Sequence, residues 1–352
     1  MRAGFEPPAG WTRISTIDAH TAGEPLRVVT AGWPEIPGDT ILARRQYARE
    51  HHDDLRRALM WEPRGHADMY GCILMGPATP DGDVGVLFMH NEGFSTMCGH
   101  GIIALVTVGL ESGLLAPERL GQDGTGRSIV RIDTPAGRVT ATAHPGVGDQ
   151  ARRVEHVSFL NVPSFVLEPD LEVDVAGFGP VRCDIAFGGA FYAYVDAADL
   201  GLSVEPSACP RLIDAGRRVK SAVMEQYEIV HPDGDEDLNF LYGTVFVQGG
   251  EGGAHSRNVC VFADGEVDRS PTGTGVSGRA AIHYRRGELG RGQRISIESI
   301  IGTSFTVAVV AETVVGGIAA IVPEVSGAAH VTGRHEFLID PDDPLRGGFL
   351  LR

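Results

Sequence analysis

The chain has 352 residues, 43% of them hydrophobic, enough to bury a full core and most economically divided into two domains of roughly 150–180 residues each. Its 30 Lys and Arg against 46 Asp and Glu give a formal charge of −16, which repels phosphate backbones and anionic lipid surfaces and excludes nucleic acid as an expected partner. No run approaches the ~20 apolar residues of a membrane span, and the opening from Met1 to Pro8 lacks the apolar stretch of a signal peptide, so a cytoplasmic location is expected.

In chain order, the first helix is predicted from Asp39 to about Leu59, ending before Trp61-Glu62-Pro63. A strand follows in Val84-Gly85-Val86-Leu87-Phe88-Met89. Ser95-Thr96-Met97-Cys98-Gly99-His100-Gly101 places a thiol ahead of Gly-X-Gly, and the run Ile102-Ile103-Ala104-Leu105 behind it reads as a helix start. Asp133-Thr134-Pro135-Ala136-Gly137-Arg138-Val139 leads into a strand, and Val154 to Phe159 is another. A helix is predicted from Pro206 to about Glu225. Gln248-Gly249-Gly250-Glu251-Gly252-Gly253 is a flexible surface loop by composition. Asp268-Arg269-Ser270-Pro271-Thr272-Gly273-Thr274-Gly275 repeats the earlier turn, with Val276 to Ala281 as its helix start. Glu298-Ser299-Ile300-Ile301-Gly302-Thr303-Ser304 and the strand Thr306 to Val310 complete the series. With 47 glycines and 21 prolines between short β-branched runs, strands outnumber helices.

Turn, helix and acid-hydroxyl-glycine segment thus recur in one order, half a chain apart. The expected architecture is an internally duplicated α/β protein, each half wrapping strands around one central helix. The first domain covers 1–155, joined by the C-terminal residues 330–352, and the second covers 156–329. The cleft between them is the expected site for a small molecule.

Two helix N-termini facing each other present unpaired N–H groups and partial positive charge, which suits one small carboxylate. The donors offered are the backbone N–H groups of Gly99, His100, Gly273 and Thr274, with Cys98 and Thr272 flanking the α-carbon of an amino acid held there. Such donors stabilise a developing enediolate without a cofactor. A thiol at a helix N-terminus is expected to have its pKa depressed from ~8.5, which makes Cys98 the base. The five cysteines are scattered and lack zinc spacing, so neither a disulfide framework nor a metal is expected. Cys72, Cys183 and Cys260 lie in apolar stretches and read as small hydrophobes. Thr272 reads either as an active-site group or as an N-cap hydroxyl. Asp268 either pairs with a substrate ammonium or forms a surface ion pair beside Arg269. His100 contacts the substrate or only the helix cap. Two thiols would satisfy a racemase, whereas an aliphatic hydroxyl is a poor proton shuttle to carbon. One base suffices if the carbanion expels hydroxide from the adjacent carbon, so dehydration is the leading expectation. Slow epimerisation through a water on Thr272, and imino-acid binding without catalysis, are the alternatives.

These segments, with Asp18 to Arg27, Glu62-Pro63-Arg64-Gly65-His66, Asn161 to Phe165 and Asp184 to Ala193, resemble the proline racemase family over most of the chain. The resemblance implies a two-domain, pseudo-symmetric fold of the diaminopimelate-epimerase type, dimeric and free of cofactor. Members with two cysteines at the positions of Cys98 and Thr272 are similar to proline racemases or 4-hydroxyproline epimerases. Members with Cys then Thr resemble trans-3-hydroxy-L-proline dehydratases, which form 1-pyrroline-2-carboxylate. The same resemblance implies Cys98 as proton acceptor and Gly99, His100, Asp268, Gly273 and Thr274 as binding positions for a small imino acid. Leu241 to Phe246 departs from the epimerases, which carry a histidine shortly before the second motif.

Overall fold

The recurrence in the sequence is a recurrence of topology. The computed structural model describes residues 5–146, 153–234, 236–250 and 252–351. The first half comprises β1 (Thr12–Thr21), β2 (Glu24–Ala31), α1 (Ile41–His51), α2 (Asp53–Met60), β3 (Tyr70–Met75), β4 (Val84–His90), β5 (Phe94–Ser95), α3 (Gly99–Ser112), β6 (Gly121–Gln122), β7 (Ser128–Thr134), β8 (Gly137–Pro145) and β9 (Val154–Leu160). The second comprises β10 (Ser164–Val175), β11 (Gly179–Phe187), β12 (Phe191–Asp196), α4 (Cys209–Gln226), β13 (Leu241–Gly249), β14 (Ser256–Phe262), β15 (Glu266–Asp268), α5 (Gly273–Arg285), β16 (Arg294–Glu298), β17 (Ser304–Val315) and β18 (Ile318–Gly327). A last strand, β19 (Ala329–Ile339), returns to the first half and pairs along β1.

One half pairs its strands β19-β1-β2-β3-β4-β7-β8-β9, antiparallel except for β2/β3 and β4/β7. The other pairs β10-β11-β12-β13-β14-β16-β17-β18, antiparallel except for β12/β13 and β14/β16. The two orders correspond strand for strand. In the second half β18 pairs back to β10 and closes the ring, and β9 pairs with β18, so the ladder is continuous between halves.

Each strand set wraps one helix. Gly99 through Gly109 of α3 and Gly273 through Ile282 of α5 are buried on every side, which explains why neither shows a polar face. Ile102, Ile103, Leu105 and Val106 pack in one cluster with Phe88, Ile132 and Phe159, and full burial of such a side chain contributes roughly 1.5–3 kcal/mol. The remaining helices lie outside the strand sets. Leu212, Ala215, Val219 and Val223 of α4 form a buried stripe at helical spacing.

Several boundaries differ from expectation. The helix predicted from Asp39 to Leu59 is two helices, broken at His52 (φ −133°, ψ 18°), whose N–H bonds Ala48 O to end α1 while Asp53 and Asp54 open α2 at its electropositive end. The Pro206 helix begins as a 3₁₀ turn, Pro206–Ala208, before α4. Helices α3 and α5 start at Gly99 and Gly273, three residues before the apolar runs implied, so the glycine N–H groups belong to their first turns. The acid-hydroxyl-glycine segments are the β7/β8 and β16/β17 turns, closed by Thr134 Oγ1 to Gly137 O (2.8 Å) and by Ser299 Oγ with Thr303 Oγ1 (2.7 Å). The glycine-rich segment 248–253 joins β13 to β14, with Glu251 outside the described residues. Among the described residues no helix is long and apolar enough to cross a membrane.

Candidate active site between two helix termini

The N-termini of α3 and α5 touch. A Cβ on Gly99 would lie 2.4 Å from Gly273 Cα, and one on Gly273 would lie 2.5 Å from Gly99 Cα, so only glycine permits the approach. The first-turn N–H groups of both helices have no intrahelical carbonyl. Gly99, His100, Gly273 and Thr274, which carry such groups, all line one cavity. The cavity measures about 20 Å³, room for one or two waters and too little for a five-membered ring. A larger cleft of about 620 Å³ lies beside the end of α5 between Arg285, Val314 and Ile321. Its tyrosine, Tyr284, is already bonded to Glu312 (2.5 Å), and it gathers no thiol or buried acid, so the small cavity is the candidate site.

Cys98 occupies the N-cap of α3 and its Sγ accepts the Gly101 N–H at 3.2 Å. His100 stacks its imidazole on the thiol, with Nδ1 at 3.3 Å from Sγ and 3.8 Å from Asp268 Oδ2. Burial lowers the His100 pKa, although Asp268 opposes this, and the ring is neutral. The Cys98 thiol departs from expectation: burial pushes it well above its usual value, the Gly101 N–H pulls the other way, and the Asp268 and Glu24 carboxylates push it up further. The helix terminus does not overcome burial, so Cys98 rests as a thiol.

Thr272 departs too. Its backbone is left-handed (φ 66°, ψ 100°) and its side chain makes no cap bond. A β-branched residue there stores about 1–3 kcal/mol of strain. Its Oγ1 is buried without a hydrogen-bond partner, so the N-cap reading fails and the capping atom is Cys98 Sγ on the other helix. Asp268 is no surface residue: it is buried, and its Oδ1 accepts the Ser270 N–H at 2.8 Å. Arg269 turns instead to Glu24 (3.2 Å) and Asp68 (3.6 Å).

A proline racemase family model matches residues 16–350. The chain belongs to the proline racemase family. It is 48% identical over 340 residues to a trans-3-hydroxy-L-proline dehydratase of Colwellia psychrerythraea, covering 96% of this chain and 93% of that protein. It is 49% identical over 345 residues to the trans-3-hydroxy-L-proline dehydratase of Homo sapiens (96% and 95%), and 47% identical over 340 residues to a 3-hydroxyproline 2-epimerase of Burkholderia multivorans (96% and 98%). The crystal structure of a hydroxyproline epimerase from Agrobacterium vitis with bound trans-4-hydroxy-L-proline superposes with a TM-score of 0.89 at 32% identity, covering 98% of this chain and 96% of that one.

Within this proline racemase fold, the cavity also takes residues that the motifs do not announce. Tyr70, Tyr192, Tyr242 and Phe262 form an aromatic wall. Cys260 lines the cavity as well, where the apolar context of its strand suggested an inert core position. Its signal was the short β14/β15 hairpin, which pairs Cys260 directly with Asp268. Burial holds the Cys260 thiol well above its usual value. Among the described residues no group of three or more His, Cys, Asp or Glu is placed to hold a metal ion.

Proposed function

We propose that this chain is a trans-3-hydroxy-L-proline dehydratase, a hydro-lyase that removes the α-proton and the 3-hydroxyl without a cofactor. The observation that carries the reading is the asymmetry across the helix contact, where a thiol caps α3 and an unpartnered hydroxyl precedes α5. The substrate carboxylate sits on the first-turn N–H groups of α3 and α5, and its ammonium faces Asp268. Burial is the main cause that holds the Cys98 thiol up, and the pairing offsets the smaller push from Asp268, so the thiolate forms more readily with substrate bound, its proton passing to solvent. Cys98 Sγ then takes the α-proton. The C–H electron pair becomes the Cα=Cβ bond and the Cβ–O bond breaks, its electron pair leaving with the oxygen as hydroxide, which takes up a proton and departs as water. The resulting 2,3-dehydroproline rearranges to 1-pyrroline-2-carboxylate. The converging N–H donors supply the several kcal/mol that an enediolate requires.

The cavity must open to admit a ring, and we assign that motion to the two domains, 1–155 with 330–352 against 156–329, closing afterwards to exclude water. A cytoplasmic setting accords with five unpaired cysteines. A homodimer is proposed from the family resemblance alone, and sedimentation would test it.

Incubation with trans-3-hydroxy-L-proline and trapping of a cyclic imine by o-aminobenzaldehyde tests the activity. Absence of imine with intact protein would contradict it. A second reading, epimerisation at Cα, is favoured by one observation: Cys260 brings another thiol to the cavity, next to Thr272. Formation of the inverted imino acid without imine would favour that reading.

A further inference from the structure

Two cavity residues present hydroxyls that make no hydrogen bond of ordinary geometry, although Tyr70 lies beside one and Cys260 beside the other. Thr272 Oγ1 is one, and the other is Tyr242 Oη, at the start of β13. A buried phenol without a partner is costly, and such groups persist where a ligand completes the bond. The neighbouring tyrosines differ. Tyr70 Oη is bonded to Ser95 Oγ at 2.6 Å, Tyr192 Oη to Thr274 Oγ1 at 2.7 Å, and Tyr194 Oη to Gly275 O at 2.9 Å. The Tyr242 ring is held in place by stacking on Phe262 (5.3 Å, 19°) and by edge contacts with Tyr192 (5.8 Å) and His90 (6.0 Å).

We infer that Tyr242 is the acid that protonates the departing 3-hydroxyl, an assignment that rests on the dehydratase reading. As Cys98 Sγ takes the α-proton and the Cβ–O bond breaks, the Tyr242 O–H proton passes to the leaving oxygen, which departs as water. The tyrosinate and the Cys98 thiol that remain are reset when the thiol proton reaches Tyr242 through that water. The other candidates serve less well. Thr272 carries an aliphatic hydroxyl, a poor acid, and buried His100 is neutral and lies against the thiol. Burial and the Glu266 carboxylate keep the Tyr242 phenol protonated until it is needed.

Tyr242→Phe removes a hydroxyl that makes no hydrogen bond of ordinary geometry, so the variant is expected to fold with an unlowered Tm. It should be compared with wild type on trans-3-hydroxy-L-proline and trans-3-fluoro-L-proline in D₂O, because fluoride leaves without a proton. The expected result is imine formation from the hydroxy substrate reduced roughly 100-fold or more. Deuterium should still enter Cα of the recovered substrate, and fluoride release should stay near the wild-type rate. Equal loss on both substrates in a folded variant would make Tyr242 a packing residue and overturn the assignment. An undiminished rate on the hydroxy substrate would overturn it too. If Tyr242→Phe fails to fold, 3-fluorotyrosine placed at position 242 keeps the shape and makes the phenol more acidic. The hydroxy-substrate rate should then change and the fluoro-substrate rate should not, and no change on either overturns the assignment. Wild-type protein that forms no imine would sink the dehydratase reading itself, and this assignment with it.

Discussion

At the scale of single residues, the site turns on where two protons reside. Cys98 is a thiol in the free protein, raised by burial and by Asp268 and Glu24, so kcat/KM should keep climbing with pH well past neutrality as the free-enzyme thiol ionises. Cys98→Ser should lose turnover while keeping its fold, because a serine hydroxyl cannot replace the thiolate. A serine variant of undiminished activity would remove Cys98 from the chemistry. Thr272 permits a test that separates stability from catalysis. Its Oγ1 makes no hydrogen bond of ordinary geometry, so Thr272→Val, equal in shape, should cost no stability and should raise it by about 1 kcal/mol through removal of a poorly satisfied polar atom. Turnover should fall if that hydroxyl positions the substrate. A lower Tm with unchanged turnover would return Thr272 to a structural role.

At the scale of elements, the decisive feature is the contact between α3 and α5. Gly99→Ala or Gly273→Ala would drive a methyl to within 2.5 Å of the opposing backbone. Each should destabilise the closed form by about 1–3 kcal/mol and reduce turnover far more than affinity for a carboxylate such as pyrrole-2-carboxylate, because closure is what assembles the site. Calorimetry and inhibitor titration would check this, and full activity in either alanine variant would show that the helices need not touch. Local motifs made these two turns legible: Cys98, Thr272 and their glycines are contiguous in sequence and appear twice. The aromatic wall was not legible, because Tyr70, Tyr192, Tyr242 and Phe262 come from β3, β12, β13 and β14 and meet only through strand pairing. The pKa direction at Cys98 was misread for a related reason. Proximity to a helix terminus is visible in sequence, whereas complete burial by the opposite half is not. The break at His52 was hidden because residues on both sides of it favour helix.

At the scale of the whole molecule, duplication yields two matched strand sets whose central helices meet head to head, and the proposed chemistry rests on small differences between the copies. Stability should also depend on acid. Burial lowers His283 to about 4, with Arg279 adding to the effect (3.0 Å from Nε2) and Glu288 opposing it (2.6 Å from Nδ1). The folded value lies below the unfolded value of ~6.5, so the contribution is complete above that pH and is lost as pH falls toward 4, amounting to roughly 3 kcal/mol at most. His283→Gln should flatten the fall in Tm between those limits, and an unaltered acid limb would assign the loss to other groups. The claim that the site has one base, acting on one face, is tested most directly with L-proline, which has no hydroxyl to expel. In D₂O the wild-type protein should introduce deuterium at Cα with retention, giving L-[2-²H]proline and no D-proline. Appearance of D-proline would establish a second proton donor on the Thr272 side and contradict the one-base account.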